Sequence, residues 1–182
     1  MYIFDVDKVI QIFCYLDDWC KLFEKAKSHS TLGEQAGRTR VPGLSASEQL
    51  SILVLYHQSG YKTFKDYYQR FARKALQSYF PDMPCYERFV ALIPTVSLQV
   101  IWAVNCVCSL ACQTGIYFID SSCLPVCHNK RIHQHRTFDK IAKRGKTSVG
   151  WFFGLKVHLV INNLGEPVAV AIRPGNINDN NP

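Results

Sequence analysis

Asp120 closes the apolar run Ile116-Tyr117-Phe118-Ile119. A carboxylate carried by a strand end is a rigid oxygen ligand for a hard divalent cation such as Mg²⁺. A pair of such ions can activate an attacking oxygen and stabilise a leaving one in an in-line phosphoryl displacement, which takes more than one carboxylate. Alone, Asp120-Ser121-Ser122 is equally good turn or capping chemistry. A second candidate chemistry is zinc: Cys123 and Cys127 precede His133 and His135, and Cys106, Cys108 and Cys112 form another cluster. These spacings match no common zinc module, and apolar buried thiols are a sufficient account of them.

The charge around Asp120 is uneven. The chain of 182 residues has a formal net charge of +7. Within 128–146 stand Lys130, Arg131, Arg136, Lys140, Lys143, Arg144 and Lys146, against Asp139 alone, with His128, His133 and His135 among them. Such a stretch suits either a polyanion partner or a solvated loop. Further along, Lys156 and His158 alternate with apolar residues. They would share a strand face with Gly154, aimed at a phosphate or toward the metal site, or simply partly solvated. In the N-terminal half, Lys62, Lys65, Arg70, Arg73 and Lys74 surround Asp66 on a predicted helix.

The elements that must position these residues fall into two textures. Val6, Val9, Ile10, Phe13, Leu16, Cys20 and Phe23 recur at steps of three and four, predicting a helix over roughly 4–26. Residues 28–43 read as a connecting loop. Ser45-Ala46-Ser47-Glu48 has capping-box spacing and opens a helix to about Gln58. After Ser59-Gly60-Tyr61 a helix runs to about Tyr79, with Phe64, Tyr67, Tyr68, Phe71 and Ala75 on its inner side. The two helices permit a helix-turn-helix. A short helix over Tyr86–Leu92 follows. Residues 95–112 are apolar but interrupted by Thr, Ser, Gln and Asn, and read as a buried core helix rather than a membrane span.

From Gly115 the period becomes two. A buried strand is predicted over 116–121. From 151, Leu155, Val157, Leu159 and Ile161 take one face and Gly154, Lys156, His158 and Val160 the other. Asn162-Asn163-Leu164-Gly165 is a turn, and Val168, Val170 and Ile172 form the next strand. A helical domain over 1–112 and a second domain over 113–182 are expected. The start MYIFDVDKVI lacks the positive charge of a signal peptide, so reduced thiols and a cytoplasmic protein without membrane partners are expected.

The order of these features resembles the DDE-type insertion-sequence transposases. The resemblance rests on Phe118-Ile119-Asp120-Ser121, Arg131-Ile132, Phe138, Gly145-Lys146-Thr147, Gly150-Trp151-Phe152, Gly154-Leu155-Lys156-Val157-His158 and Pro174-Gly175-Asn176 with Asp179. It covers about 116–182. It is looser over 1–112, where Ser47-Glu48, Asp66-Tyr67 and Tyr86-Glu87-Arg88-Phe89 suit the family's helical part. It implies an α+β protein, with an N-terminal helical bundle and then an incomplete ribonuclease-H-like domain whose three strands form an antiparallel meander. It implies Mg²⁺-dependent DNA strand cleavage and transfer at the ends of a mobile element, with Asp120 as the first of three metal-binding carboxylates. The second Asp and the Glu have no counterpart before Pro182, and Asp179 does not take the second place. A fragment inactive alone is therefore expected. Its partners would be double-stranded DNA and the missing C-terminal part or an intact transposase. The alternatives are a non-catalytic DNA-binding remnant that represses transposition, and a zinc-stabilised interaction module. DNA contacts are expected from Lys130, Arg131, Arg136, Lys140, Lys143, Arg144, Lys146, Lys156, His158, Arg70, Arg73 and Lys74.

Overall fold

The computed structural model describes residues 6–29 and 43–177. The chain divides into two compact units, Met1–Trp102 and Ala103–Pro182. Most of the predicted 28–43 loop lies outside the described residues, as does Asp179. The protein is α+β, with helices first and then an antiparallel sheet.

In the first unit, α1 (Val6–His29) and α2 (Ala46–Gln58) precede a short α3 (Phe64–Asp66), a π-helical turn (Tyr67–Ala72) and α4 (Arg73–Ala75). The capping box is formed: the Ser45 hydroxyl accepts from Glu48 N–H at 3.2 Å and the Glu48 carboxylate accepts from Ser45 N–H at 2.7 Å. The core gathers Val9, Leu44, Ile52, Leu55, Tyr67, Tyr68, Ala72, Leu76, Phe80, Met83 and Phe89. Phe64 and Phe71 pack against it, so the aromatic stripe is interior packing, as its helical spacing implies. The second predicted helix stops at Ala75, which is exposed rather than inward. On α1 the inner stripe is turned slightly from the expected one: Ile12 and Phe13 face the core and Ile10 is exposed. Ser47 Oγ donates to the Asp17 carboxylate at 3.0 Å, tying α1 to α2. Lys21, with this hydroxyl, holds the Asp17 carboxyl below its ordinary value.

Two neighbouring tyrosines differ in one bond. Tyr68 Oη donates to Pro84 O at 2.8 Å, whereas the buried Tyr67 hydroxyl has no partner among the described residues. A buried hydroxyl without a partner carries its desolvation cost uncompensated. Tyr67→Phe should therefore raise unfolding free energy by about 1 kcal/mol, and Tyr68→Phe should lower it by about 1 kcal/mol. Chemical denaturation of the two variants checks this, and equal losses in both would contradict it. Burial raises both phenols, that of Tyr68 to about 12. Their contribution to stability is complete below the ordinary tyrosine pKa and is lost as pH rises through the folded values.

Then come α5 (Tyr86–Leu92), a 3₁₀ turn (Ile93–Val96) and α6 (Ser97–Leu110). The expectation of a core helix over 95–112 is corrected. No residue of α6 is buried, and Leu98, Val100, Ile101, Val104, Val107 and Leu110 are exposed. The continuous helical stretch Tyr86–Leu110 is long and apolar enough to cross a membrane by length and composition, a test that core helices of soluble proteins also pass. Within the first unit, Trp102 packs on Trp19 at 4.6 Å and edge-on to Phe23 at 5.5 Å.

The second unit is built on a sheet of four strands: β1 (Tyr117–Cys127), β2 (Lys143–Thr147), β3 (Gly150–Asn162) and β4 (Pro167–Pro174). All pairs are antiparallel. β3 is the centre. β1 lies along one side, and β2 and β4 follow each other along the other, against Gly150–Gly154 and Leu155–Ile161. The three expected strands do form a meander, and β2 is a fourth that the apolar pattern did not announce. Its sequence, KRGKT, has no alternating apolar face.

The hairpin from β3 to β4 is locked by Asn162. Its side-chain oxygen accepts from Leu164 N–H at 3.0 Å and Glu166 N–H at 2.9 Å. Its amide donates to Cys112 O at 3.0 Å and to the Glu166 carboxylate at 2.7 Å. Glu166 also accepts from Cys112 N–H at 2.9 Å. That bond first, and then Asn162, hold the Glu166 carboxyl below its ordinary value.

Candidate nucleic-acid interface

β1 runs to Cys127 and not merely to 121, so Asp120 lies inside a strand rather than at its end. Asp120-Ser121-Ser122 read as turn chemistry, yet they pair with Leu159, His158 and Val157 of β3. Pro125 is tolerated because β1 is an edge strand, and the register shifts between Pro125 and Cys127. Asp120 opposes Leu159. Its side chain is exposed, and Oδ1 accepts from Ser121 N–H at 2.8 Å.

The register sorts the sheet into two faces. Phe118, Asp120, Ser122 and Leu124 share a face with Leu155, Val157, Leu159 and Ile161 of β3 and with Val170 and Ile172 of β4. This aliphatic face is the open one: Leu159 is 40% exposed and Ile172 62%. The opposite face carries Ser121, Cys123, Gly154, Lys156, His158, Ala169 and Ala171, and on it Gly154, Lys156 and His158 are buried. Lys156 is 5% exposed and donates to Ile177 O at 3.1 Å. His158 is 2% exposed, and neither ring nitrogen has a hydrogen-bond partner among the described residues. The expected DNA contacts from Lys156 and His158 are therefore corrected. Gly175–Ile177 turn back beside Gly154 and Lys156, with Gly175 N–H donating to Gly154 O at 3.0 Å, and the Lys156 and His158 side chains both lie beneath the surface. Gly154 does serve a close approach, but to backbone: a Cβ there would meet the Leu124 carbonyl oxygen.

The basic segment is folded. Asn129–Gln134 form a 3₁₀ turn whose first N–H groups are capped by His128, with Lys130 N–H donating to its Nδ1 at 3.3 Å. Asn129 Nδ2 donates to Trp151 O at 2.7 Å, anchoring this turn to β3. His135 stacks on Phe138 at 5.9 Å and meets the edge of Phe153 at 6.2 Å. It therefore packs the segment. Lys130, Arg131, Arg136, Lys140, Lys143, Arg144 and Lys146 are all exposed. Arg144 and Lys146 lie over the Trp151 ring, at 5.3 and 5.9 Å from its centroid. In the sequence Trp151 stands out only as part of the Gly150-Trp151-Phe152 motif. The signal that marks it further is its place one hairpin turn after alternating cations.

In the first unit, Arg70, Arg73 and Lys74 are exposed along the π-helical turn and α4, and Arg70 is 3.4 Å from the Asp66 carboxylate. Among the described residues, no three His, Cys, Asp or Glu side chains lie together in a way that could hold a metal ion. That includes the set Cys123, Cys127, His133 and His135. All eight cysteines are free thiols. A hard divalent cation takes six or more oxygen ligands. Asp120, flanked on its face by Phe118, Leu159 and Ser122, supplies one carboxylate, so the described residues do not by themselves make a Mg²⁺ site.

Residues 110–182 match the family model described as a transposase DDE domain. No curated protein and no solved structure matches the chain.

Proposed function

From the transposase DDE domain matched over 110–182, which supports a DDE-type transposase, we propose that this chain serves DNA transposition by binding the ends of an insertion sequence at the nucleoid. DDE domains generally use a divalent metal. In this reading the β1–β4 sheet is part of a ribonuclease-H-like domain, residues 1–112 form a DNA-binding domain, and Asp120 is one carboxylate ligand of a Mg²⁺ site. The observation that carries the proposal is the matched domain itself, with an exposed Asp120 on a sheet edge and an exposed, anchored basic segment after it.

The chain's own residues can do two things here. The cations at 130, 131, 136, 140, 143, 144 and 146 can hold the phosphate backbone without reading its sequence. Asp120 can place one negative oxygen pair at the sheet edge. Strand cleavage would need further carboxylates beside it. Asp120→Ala, in a transposition assay that supplies the complete catalytic set, should abolish Mg²⁺-dependent strand cleavage and leave duplex binding within about twofold. Cleavage undiminished by the substitution refutes the assigned role.

A second reading, a non-catalytic DNA-binding protein that represses transposition, draws on Asp120 belonging to no group of three potential metal ligands among the described residues. It predicts duplex binding with no Mg²⁺-dependent cleavage in any reconstitution.

A further inference from the structure

We propose that Trp151, held against Arg144 and Lys146 on the β2–β3 hairpin, is a stacking platform for an unpaired base in the bound DNA. The proposal rests on the DNA-binding reading above and names the part of the substrate that this hairpin takes.

An indole 55% exposed is a costly surface on a strand whose next same-face residue, Phe153, is buried. The ring is not loosely placed. Its residue pairs with Lys146 across the ladder, Arg144 pairs with Phe153, and Asn129 binds the Trp151 carbonyl. The backbone is thus fixed on both sides while the ring stays accessible. Arg144 and Lys146 lie over the ring within 6 Å of its centroid, and a base that stacks on the face they cover moves these two flexible side chains to its edge. Phosphate contacts to intact duplex need only those cations, because duplex bases are already stacked on each other. An exposed indole with two cations at it suits a base that has lost its neighbours: the ring takes the π-face and the cations take the adjoining phosphates.

The position is also informative. Asp120 opposes Leu159, eight residues along β3 from Trp151 and on the same face by register. At about 3.3 Å per residue the separation along the strand is roughly 27 Å. That is the rise of about eight nucleotides of stacked strand. The platform would therefore hold a base well away from a phosphodiester at Asp120, so the DNA it recognises has an unpaired stretch and not only a reactive end.

The test uses the full chain and three labelled probes of matched length: blunt duplex, duplex with a single-stranded overhang, and single strand, read by fluorescence anisotropy. Trp151→Ala should weaken binding to the overhang and single-strand probes by about 5- to 150-fold. The blunt duplex should change by less than about twofold, and Trp151→Phe should keep most of the affinity for all three probes. Circular dichroism of each variant checks that the sheet is intact. If Trp151→Ala affects the three probes equally, or none of them, the platform is refuted while the DNA-binding reading stands. If the unmodified chain binds no probe at moderate salt, both are refuted.

Discussion

Gly154→Ala should abolish the sheet of the second unit: far-ultraviolet circular dichroism should lose its strand signal, and stability should fall by more than about 4 kcal/mol. The reason is backbone on backbone. A Cβ at Gly154 would meet the Leu124 carbonyl oxygen, with the Leu124 carbon and Pro125 Cα each at 2.9 Å. No side-chain rotation relieves such a clash, so β1 must peel from β3. Asp120 leaves with it, and the proposed metal ligand goes along with the fold. Gly145→Ala should act similarly on β2, because its Cβ would meet the Gly175 carbonyl and press on Phe152. Gly165→Ala is the useful contrast. It has open space around it but a φ of +82°, so it should cost only about 1–2 kcal/mol of backbone strain. A Gly154→Ala protein as stable as Gly165→Ala would show that β1 does not pack this closely on β3.

Reversing four charges, with Lys130, Arg131, Arg136 and Lys140 each changed to Glu, should cut duplex affinity by about 100-fold at low salt. The more diagnostic change is in slope. Each phosphate that the protein no longer neutralises lowers the dependence of log affinity on log salt by about 0.9, so four such phosphates lower it by about 3.6. The four side chains are exposed and form no ion pair among the described residues, so folding should be unaffected within about 0.5 kcal/mol. Salt titration of binding by the two proteins measures this. An unchanged slope would place the DNA elsewhere on the chain and remove the segment from the proposed function.

The helices were legible where local rules decide them. The Ser45 box and the bounds Ala46–Gln58 and Tyr86–Leu92 follow from capping, proline and periodicity alone. The sheet was legible in its central hairpin, where alternation and the Asn162–Gly165 turn act together. It was not legible at β2 or in the second half of β1. There, charged and polar residues are held as strand by pairing to β3, a tertiary effect that no short window contains. The orientation of the sheet was hidden for a related reason. Alternation tells which residues share a face but not which face is covered. Lys156 is inside because Gly175–Ile177 fold back beside Gly154 and Ile177 O takes its ammonium, and Asn162 because the hairpin turn and Cys112 take its amide. Asp120 was found by type and neighbourhood, whereas its mid-strand position needed the register.

The open aliphatic face has one further consequence. Among the described residues of β1, β3 and β4, Asp120 is the one ionisable group set with Phe118, Leu124, Leu159, Val170 and Ile172 on this face. Whatever covers those side chains also removes this carboxylate from water, and a desolvated carboxylate must gain a cation or a proton. Covering the face and charging the site are then linked equilibria. A bound cation tightens the cover by the same factor by which the cover tightens the cation.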